Sequence, residues 1–225
     1  MAAKLPKRSY SLSEELISSI SHGVGAVIGL VELVVGVWFA VLSGNLWAVV
    51  AMSIYGFSLV LLFVMSTLYH ALTPKRAKAI FRIFDHVSIF VLIAGSYTPY
   101  TLVLIREHNP VLGWAVFLII WVMAILGIIF NAISIERFKV FSMIAYLGMG
   151  WMIVFAMSTL VQLLSPLGLA LLIGGGVIYT AGVIFYAIGS KKKYFHSIWH
   201  FFVLGGSLLH YFSILFDVIL PALHG

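Results

Sequence analysis

The chain has 225 residues, of which 63% are hydrophobic and 9% charged, with a formal net charge of +6 and no cysteine. Soluble domains carry about 25% charged residues, so this polypeptide has too little polar surface to coat a globule in water, and the bilayer is its expected solvent. The absence of cysteine excludes disulfides and thiolate ligands, leaving His, Asp, Glu and water for any transition metal.

The chain opens with "MAAKLPKRSYSLSEEL", which is polar, basic and then acidic, without the apolar core of a cleavable signal. Residues 1–21 are therefore expected to form a cytoplasmic N-terminal segment. Seven apolar runs follow, at 24–42, 46–72, 83–105, 111–133, 140–164, 167–188 and 198–220, each long enough to cross a hydrocarbon core. The breaks between them are "SGN", "TPKRAKAIFR", "REHNP", "SIERFK", "SP" and "GSKKKYF". Short connections make consecutive spans antiparallel neighbours. The expected architecture is one all-α domain over 1–225, a seven-transmembrane helix bundle without internal repeats.

The basic residues orient it. Lys4, Lys7 and Arg8 precede the first span, and Lys75, Arg76, Lys78 and Arg82 border the second and third. Arg137 and Lys139 lie between the fourth and fifth, and Lys191, Lys192 and Lys193 between the sixth and seventh. With seven spans, twelve of the thirteen basic residues share one side, leaving Arg106 opposite. The positive-inside rule then puts the N-terminus in the cytoplasm and the C-terminus outside. This arrangement accounts for the charge without nucleic acid as a partner.

Ionisable groups within spans cost roughly 2.5–3.5 kcal/mol at a helix centre, so each needs an explanation. The second span ends with "STLYH", which puts Ser66 and His70 one turn apart on one face. The third begins with "RIFDHVSIF" and carries Asp85 about one turn inside; the seventh begins with His196 and His200, also one turn apart. All five residues thus share one depth near the cytoplasmic boundary. Three imidazoles with an open fourth position form a catalytic-type zinc site, and such a metal lowers the pKa of its water toward neutrality. Asp85 can orient that water and act as general base, and Ser66 can bind a ligand or a developing oxyanion. The competing reading is that the histidines face the bundle interior and hydrogen-bond to neighbours, since "HSIWH" lacks the glutamate of the H-E-x-x-H motif.

Other polar positions carry less. His86 is rotated about 100° from Asp85 and suits a supporting or lipid-boundary role. His22 can approach the site or sit at the interface. Glu32 is either functional or a buried hydrogen-bonding group. Ser207, His210 and Asp217 continue along the face of His196, either as a proton path or as seals between helices. Tyr97, Thr98, Pro99 and Tyr100 predict a kink with internal hydrogen bonds. Gly25–Gly29 and Gly174–Gly176 predict close helix packing.

Four segments in order, "EELISSISHGVG", "STLYHAL", "FDHVSIFVLIAGSYTPY" and "HSIWHFFVLGGSLLHY", resemble the bacterial hemolysin III proteins. These belong to the progestin and adipoQ receptor family, which is related to the alkaline ceramidases. The resemblance covers essentially the whole chain and implies a multi-pass protein of the bacterial inner membrane. It implies a zinc ion on His70, His196 and His200, with Asp85 holding a zinc-bound water and Ser66 as the motif serine. Relatives often have asparagine where this chain has Ser18, which leaves open the role of "EELISSISH" and with it Glu14 and Glu15.

Three functions compete on this reading. The first is a zinc-dependent hydrolase of a lipid-like amide or ester, since eukaryotic relatives hydrolyse the ceramide amide. The second is a receptor-like or regulatory membrane protein with a structural zinc, in a family named for cytolysis. The third is a proton or ion conduit using Glu32, His210 and Asp217.

Overall fold

A computed structural model describes residues 10–189 and 191–223; Lys4, Lys7 and Arg8 of the charge pattern lie outside the described residues. The described chain is helical throughout, with no strand among the described residues. Among the described residues six helices are long and apolar enough to cross a membrane: α1 Leu12–Leu42, α2 Leu46–Ala71, α3 Lys75–His108, α4 Pro110–Leu163, α5 Pro166–Gly189 and α6 Phe195–Leu223. Each of α1, α2 and α3 packs on the helix that follows it, α5 packs on α6, and α6 returns to α1. That last contact closes the bundle and brings the start of α6 beside the start of α1.

Helix α1 begins twelve residues before the apolar run expected from hydropathy, at Leu12 rather than residue 24. Its start is set by a capping box. The Ser11 hydroxyl accepts from the Glu14 amide at 3.4 Å, and the Glu14 carboxylate accepts from the Ser11 amide at 2.9 Å. Its buried residues include Ser18, His22, Gly25, Gly29, Glu32, Gly36 and Ala40, whereas Val24, Val27, Val31, Val34 and Trp38 are exposed on the other side. In lipid, large apolar residues gain nothing by facing inward, so small residues take the interface and let backbones approach. Gly25 and Gly29 press on Phe63 and Leu59 of α2, as their close-packing role predicts.

The buried glycines of α5 are Gly168, Gly175, Gly182 and Gly189, spaced every seven residues along one seam. This corrects the expectation from the run Gly174–Gly176, of which only Gly175 is buried. A side chain at Gly182 would meet Trp199 and Phe202, and one at Gly189 would meet the backbone of His196. The seam therefore sets how close α6 and its histidines come.

In α3 the expected kink is a π-helical segment, Tyr100–Ile105, directly after Pro99. The Tyr97 hydroxyl donates to the Met149 and Gly150 carbonyls at 2.7 and 2.9 Å, and the Tyr100 hydroxyl donates to Ser213 Oγ at 2.7 Å. Helix α4 is interrupted at Ser134, whose backbone is extended (φ −168°, ψ 108°). Across this interruption Asn131 Nδ2 donates to Ser142 Oγ at 2.7 Å, and the Phe130 and Phe138 rings stack at 4.9 Å. Arg82 of α3 pairs with Glu136 beside it at 2.7 Å.

Candidate metal centre

Three histidines from two helices meet inside the bundle. His70 comes from the last turn of α2, and His196 and His200 from the first turns of α6. All three are buried. The Nε2 atoms of His70 and His196 are 3.3 Å apart, and so are those of His196 and His200. Tetrahedral coordination with metal–nitrogen bonds of about 2.0–2.1 Å sets two ligand nitrogens roughly 3.3–3.4 Å apart. Two of the three donor pairs therefore have that spacing, all three ligand atoms lie within 4.8 Å of one another, and the three histidines are positioned to bind a metal ion.

The imidazoles are held from outside the cluster. Glu15 Oε2 accepts from His70 Nδ1 at 2.6 Å, and Lys78 Nζ pairs with the other carboxylate oxygen at 2.8 Å. The Tyr10 ring stacks on His196 at 4.9 Å, with 19° between planes. Burial pushes the pKa of that phenol above the ordinary tyrosine range, so it covers the cluster as a neutral ring. The His22 ring stacks on His200 at 3.8 Å, and His22 Nε2 donates to the His200 carbonyl at 3.3 Å. Ser18 Oγ bonds Ser197 Oγ at 3.0 Å, and Ser197 Oγ donates to the Glu14 carbonyl at 3.2 Å. Glu14 Oε1 accepts from the Tyr194 amide at 2.9 Å, where the chain turns through φ 64° into α6.

Glu15, Ser18 and His22 thus occupy one face of α1 at i, i+3 and i+7 and touch His70, Ser197 and His200 in turn. Sequence reading left open the roles of Glu14, Glu15 and Ser18 and allowed His22 either an approach to the site or an interfacial place. The signal was present in the capping box and in that helical spacing, which extends the helix back through residues of low hydropathy.

Asp85 and Ser66 lie with His22, His196 and His200 in the wall of one cavity of about 110 Å³. Such a volume holds several waters, each needing roughly 10–15 Å³, or part of a ligand. Away from the histidines the lining is largely apolar and reaches Tyr97, Trp151 and His210. Ser66 Oγ, His22 Nδ1 and His200 Nδ1 are buried without a hydrogen bond of good geometry; Ser66 still interacts with the Asp85 carboxylate and His200 with the Ser18 backbone. His86 Nδ1 donates to the Arg82 carbonyl at 2.9 Å and lies 3.5 Å from Asp85 Oδ2. It adjoins the carboxylate and stands apart from the three-histidine cluster, as its supporting role predicts.

The remaining polar positions do not join the cluster. His210 Nε2 donates to the Leu172 carbonyl at 3.2 Å. Asp217 accepts from the Ser165 amide and hydroxyl at 2.7 and 2.8 Å at the start of α5. Glu32 is buried with no hydrogen bond to either carboxylate oxygen.

Comparison with known proteins identifies the family. The family model described as "Haemolysin-III related" matches residues 10–211. "Hemolysin-3" of Bacillus cereus is 40% identical over 219 residues, covering 97% of this chain and 98% of that protein. "Hemolysin-3 homolog" of Bacillus subtilis (strain 168) is 41% identical over 207 residues, covering 92% and 95%. The human "Monocyte to macrophage differentiation factor" is 32% identical over 182 residues, covering 77% of this chain and 72% of its own length. No solved structure matches the chain. Six apolar membrane-length helices, a buried histidine cluster and near full-length similarity lead to one assignment: this chain is a multi-pass integral membrane protein of the haemolysin-III-related family.

Proposed function

We propose that the protein is a zinc-dependent membrane hydrolase acting on an amide or ester of a lipid-like molecule, with its metal on His70, His196 and His200. The observation that carries this reading is the convergence of three buried imidazoles, with His196 Nε2 3.3 Å from both His70 Nε2 and His200 Nε2, beside a cavity that also holds Asp85 and Ser66. When bound, zinc supplies a Lewis acid and an acidified water. Asp85 accepts a proton at a carboxylate oxygen as the attacking oxygen bonds to the substrate carbonyl. The Ser66 hydroxyl, buried beside Asp85 without a hydrogen bond of good geometry, donates to the carbonyl oxygen as charge develops there. Asp85 then returns the proton to the leaving nitrogen or oxygen. The apolar remainder of the cavity takes the acyl part and keeps bulk water from it.

The same reading gives the chain seven spans in one domain, with the N-terminus cytoplasmic and the C-terminus outside. Helix α4 has 54 residues, or about 81 Å at 1.5 Å per residue, against a hydrocarbon core of about 30 Å. In one straight helix Asn131 and Ser142 would stand about 16 Å apart, yet their side chains bond at 2.7 Å. A reversal at Ser134 accounts for both facts. It also lets Trp121 reach Thr98 at 3.2 Å while Tyr97 reaches Met149.

The test is metal analysis and turnover of the purified protein in detergent or vesicles. One zinc per chain and release of fatty acid from a panel of lipid amides and esters are expected. Stoichiometric zinc with no turnover on the whole panel would sink the hydrolase, leaving a zinc that ties α2 to α6 as the reading to pursue.

A further inference from the structure

We infer that Glu15, braced by Lys78, is the positioning carboxylate of the histidine cluster, which makes the first turn of α1 a working part of the metal centre. This rests on the metal-binding reading above. Glu15 Oε2 lies 2.6 Å from His70 Nδ1, on the edge of the ring opposite the nitrogen that faces His196. A carboxylate only accepts, so Nδ1 carries the proton and Nε2 turns its lone pair to the cluster. A metal-binding histidine held in this way gains both a fixed tautomer and a more basic ligand nitrogen.

Lys78 decides which way the carboxylate faces. Its ammonium takes Oε1 at 2.8 Å and also approaches the Leu72 carbonyl at 3.4 Å, at the end of α2 where helix carbonyls lack intrahelical donors. With Oε1 occupied, Glu15 is kept on His70 and off the metal position. The three residues come from α1, α2 and α3, so the contact also fixes the distance between three helix ends. His200 is backed by the Ser18 backbone and the His22 ring rather than by a carboxylate. Glu15 is thus the carboxylate that sets the tautomer of the cluster. An ordinary surface ion pair between Glu15 and Lys78 would require neither the 2.6 Å contact nor the complete burial of the His70 side chain beneath it.

The experiment titrates metal-free, full-length protein in detergent with zinc against a chromophoric chelator, and records the visible spectrum of the cobalt form. Glu15→Ala is expected to bind one metal per chain with affinity lowered about 10–100-fold and with a shifted cobalt spectrum. Glu15→Gln, whose amide oxygen still accepts from Nδ1, should recover the wild-type spectrum and part of the affinity. Lys78→Met should fall between wild type and Glu15→Ala. Wild-type affinity and spectrum in Glu15→Ala, alongside loss of metal in His70→Ala, would overturn the inference and leave the metal site standing. Absence of metal binding by the wild type would overturn both. Melting of each metal-free variant separates positioning from folding; if Glu15→Ala does not fold, unchanged affinity in both Glu15→Gln and Lys78→Met overturns the inference.

Discussion

The two ends of the bundle use polar residues in opposite ways. At the end holding Tyr100, Ser213 and Asp217, each group has found a partner. Tyr100 donates to Ser213 at 2.7 Å, Ser213 donates to the Gly168 carbonyl at 2.8 Å, and Asp217 caps Ser165. At the histidine end, three ring nitrogens converge with only one another for company, and Ser66 Oγ and His22 Nδ1 are buried without a hydrogen bond of good geometry. Polar residues in lipid are costly in both places. Of these two sets only the second is left with bonding capacity, a state shared outside both by Glu32 and Tyr211, and such exceptions are what need a ligand or a reaction to explain them. Saturation, rather than polarity, separates the seal from the site.

The comparison can be broken most decisively at the histidines. His200→Ala should take bound metal from one per chain to none after desalting, a loss larger than the roughly 10–100-fold penalty for removing a supporting residue; retained metal would mean the cluster is only packed imidazole. Asp85→Asn comes next, with lipid hydrolysis expected to fall by about 10²–10⁴ while zinc content holds. If activity survives that change, the carboxylate is not the proton acceptor.

The sealed end should respond in stability alone. Gly168→Leu forces a side chain into Asp217 and should destabilise the bundle by about 1–3 kcal/mol, read as a lower melting temperature with the apo cluster still able to bind zinc. Asp217→Ala removes a cap and should cost about 0.5–2 kcal/mol with metal content and turnover unchanged. Loss of activity without loss of stability in Asp217→Ala would reopen a proton path along α6 and blur the distinction between the two ends.

Much of the histidine end was legible because depth in a membrane follows from span length and the side on which lysine and arginine fall. His70, His196 and His200 needed only that shared depth to be placed together, and Asp85 and Ser66 came with them. Helix α1 was not legible in the same way. Hydropathy places its start at residue 24, but the helix is set by Ser11 and Glu14, and its contacts use Glu15, Ser18 and His22. A search for apolar residues finds the face that meets lipid and passes over the face that does the packing. The π segment after Pro99 left no distinct mark beyond the proline itself. The glycine seam of α5 was hidden behind the more conspicuous run Gly174–Gly176, since its members are seven residues apart.

That seam has a consequence for how the chain can change over time. Gly168, Gly175, Gly182 and Gly189 remain in line only while their spacing is kept. One added or deleted residue within α5 would turn every later position by about 100°, replacing glycine with bulkier neighbours against α6 and pushing the histidines away from α2. Substitution on the lipid side, at Ile173, Val177 or Ile184, leaves the seam untouched. Helix α5 should therefore accept point changes freely across its outer surface and reject any change in length.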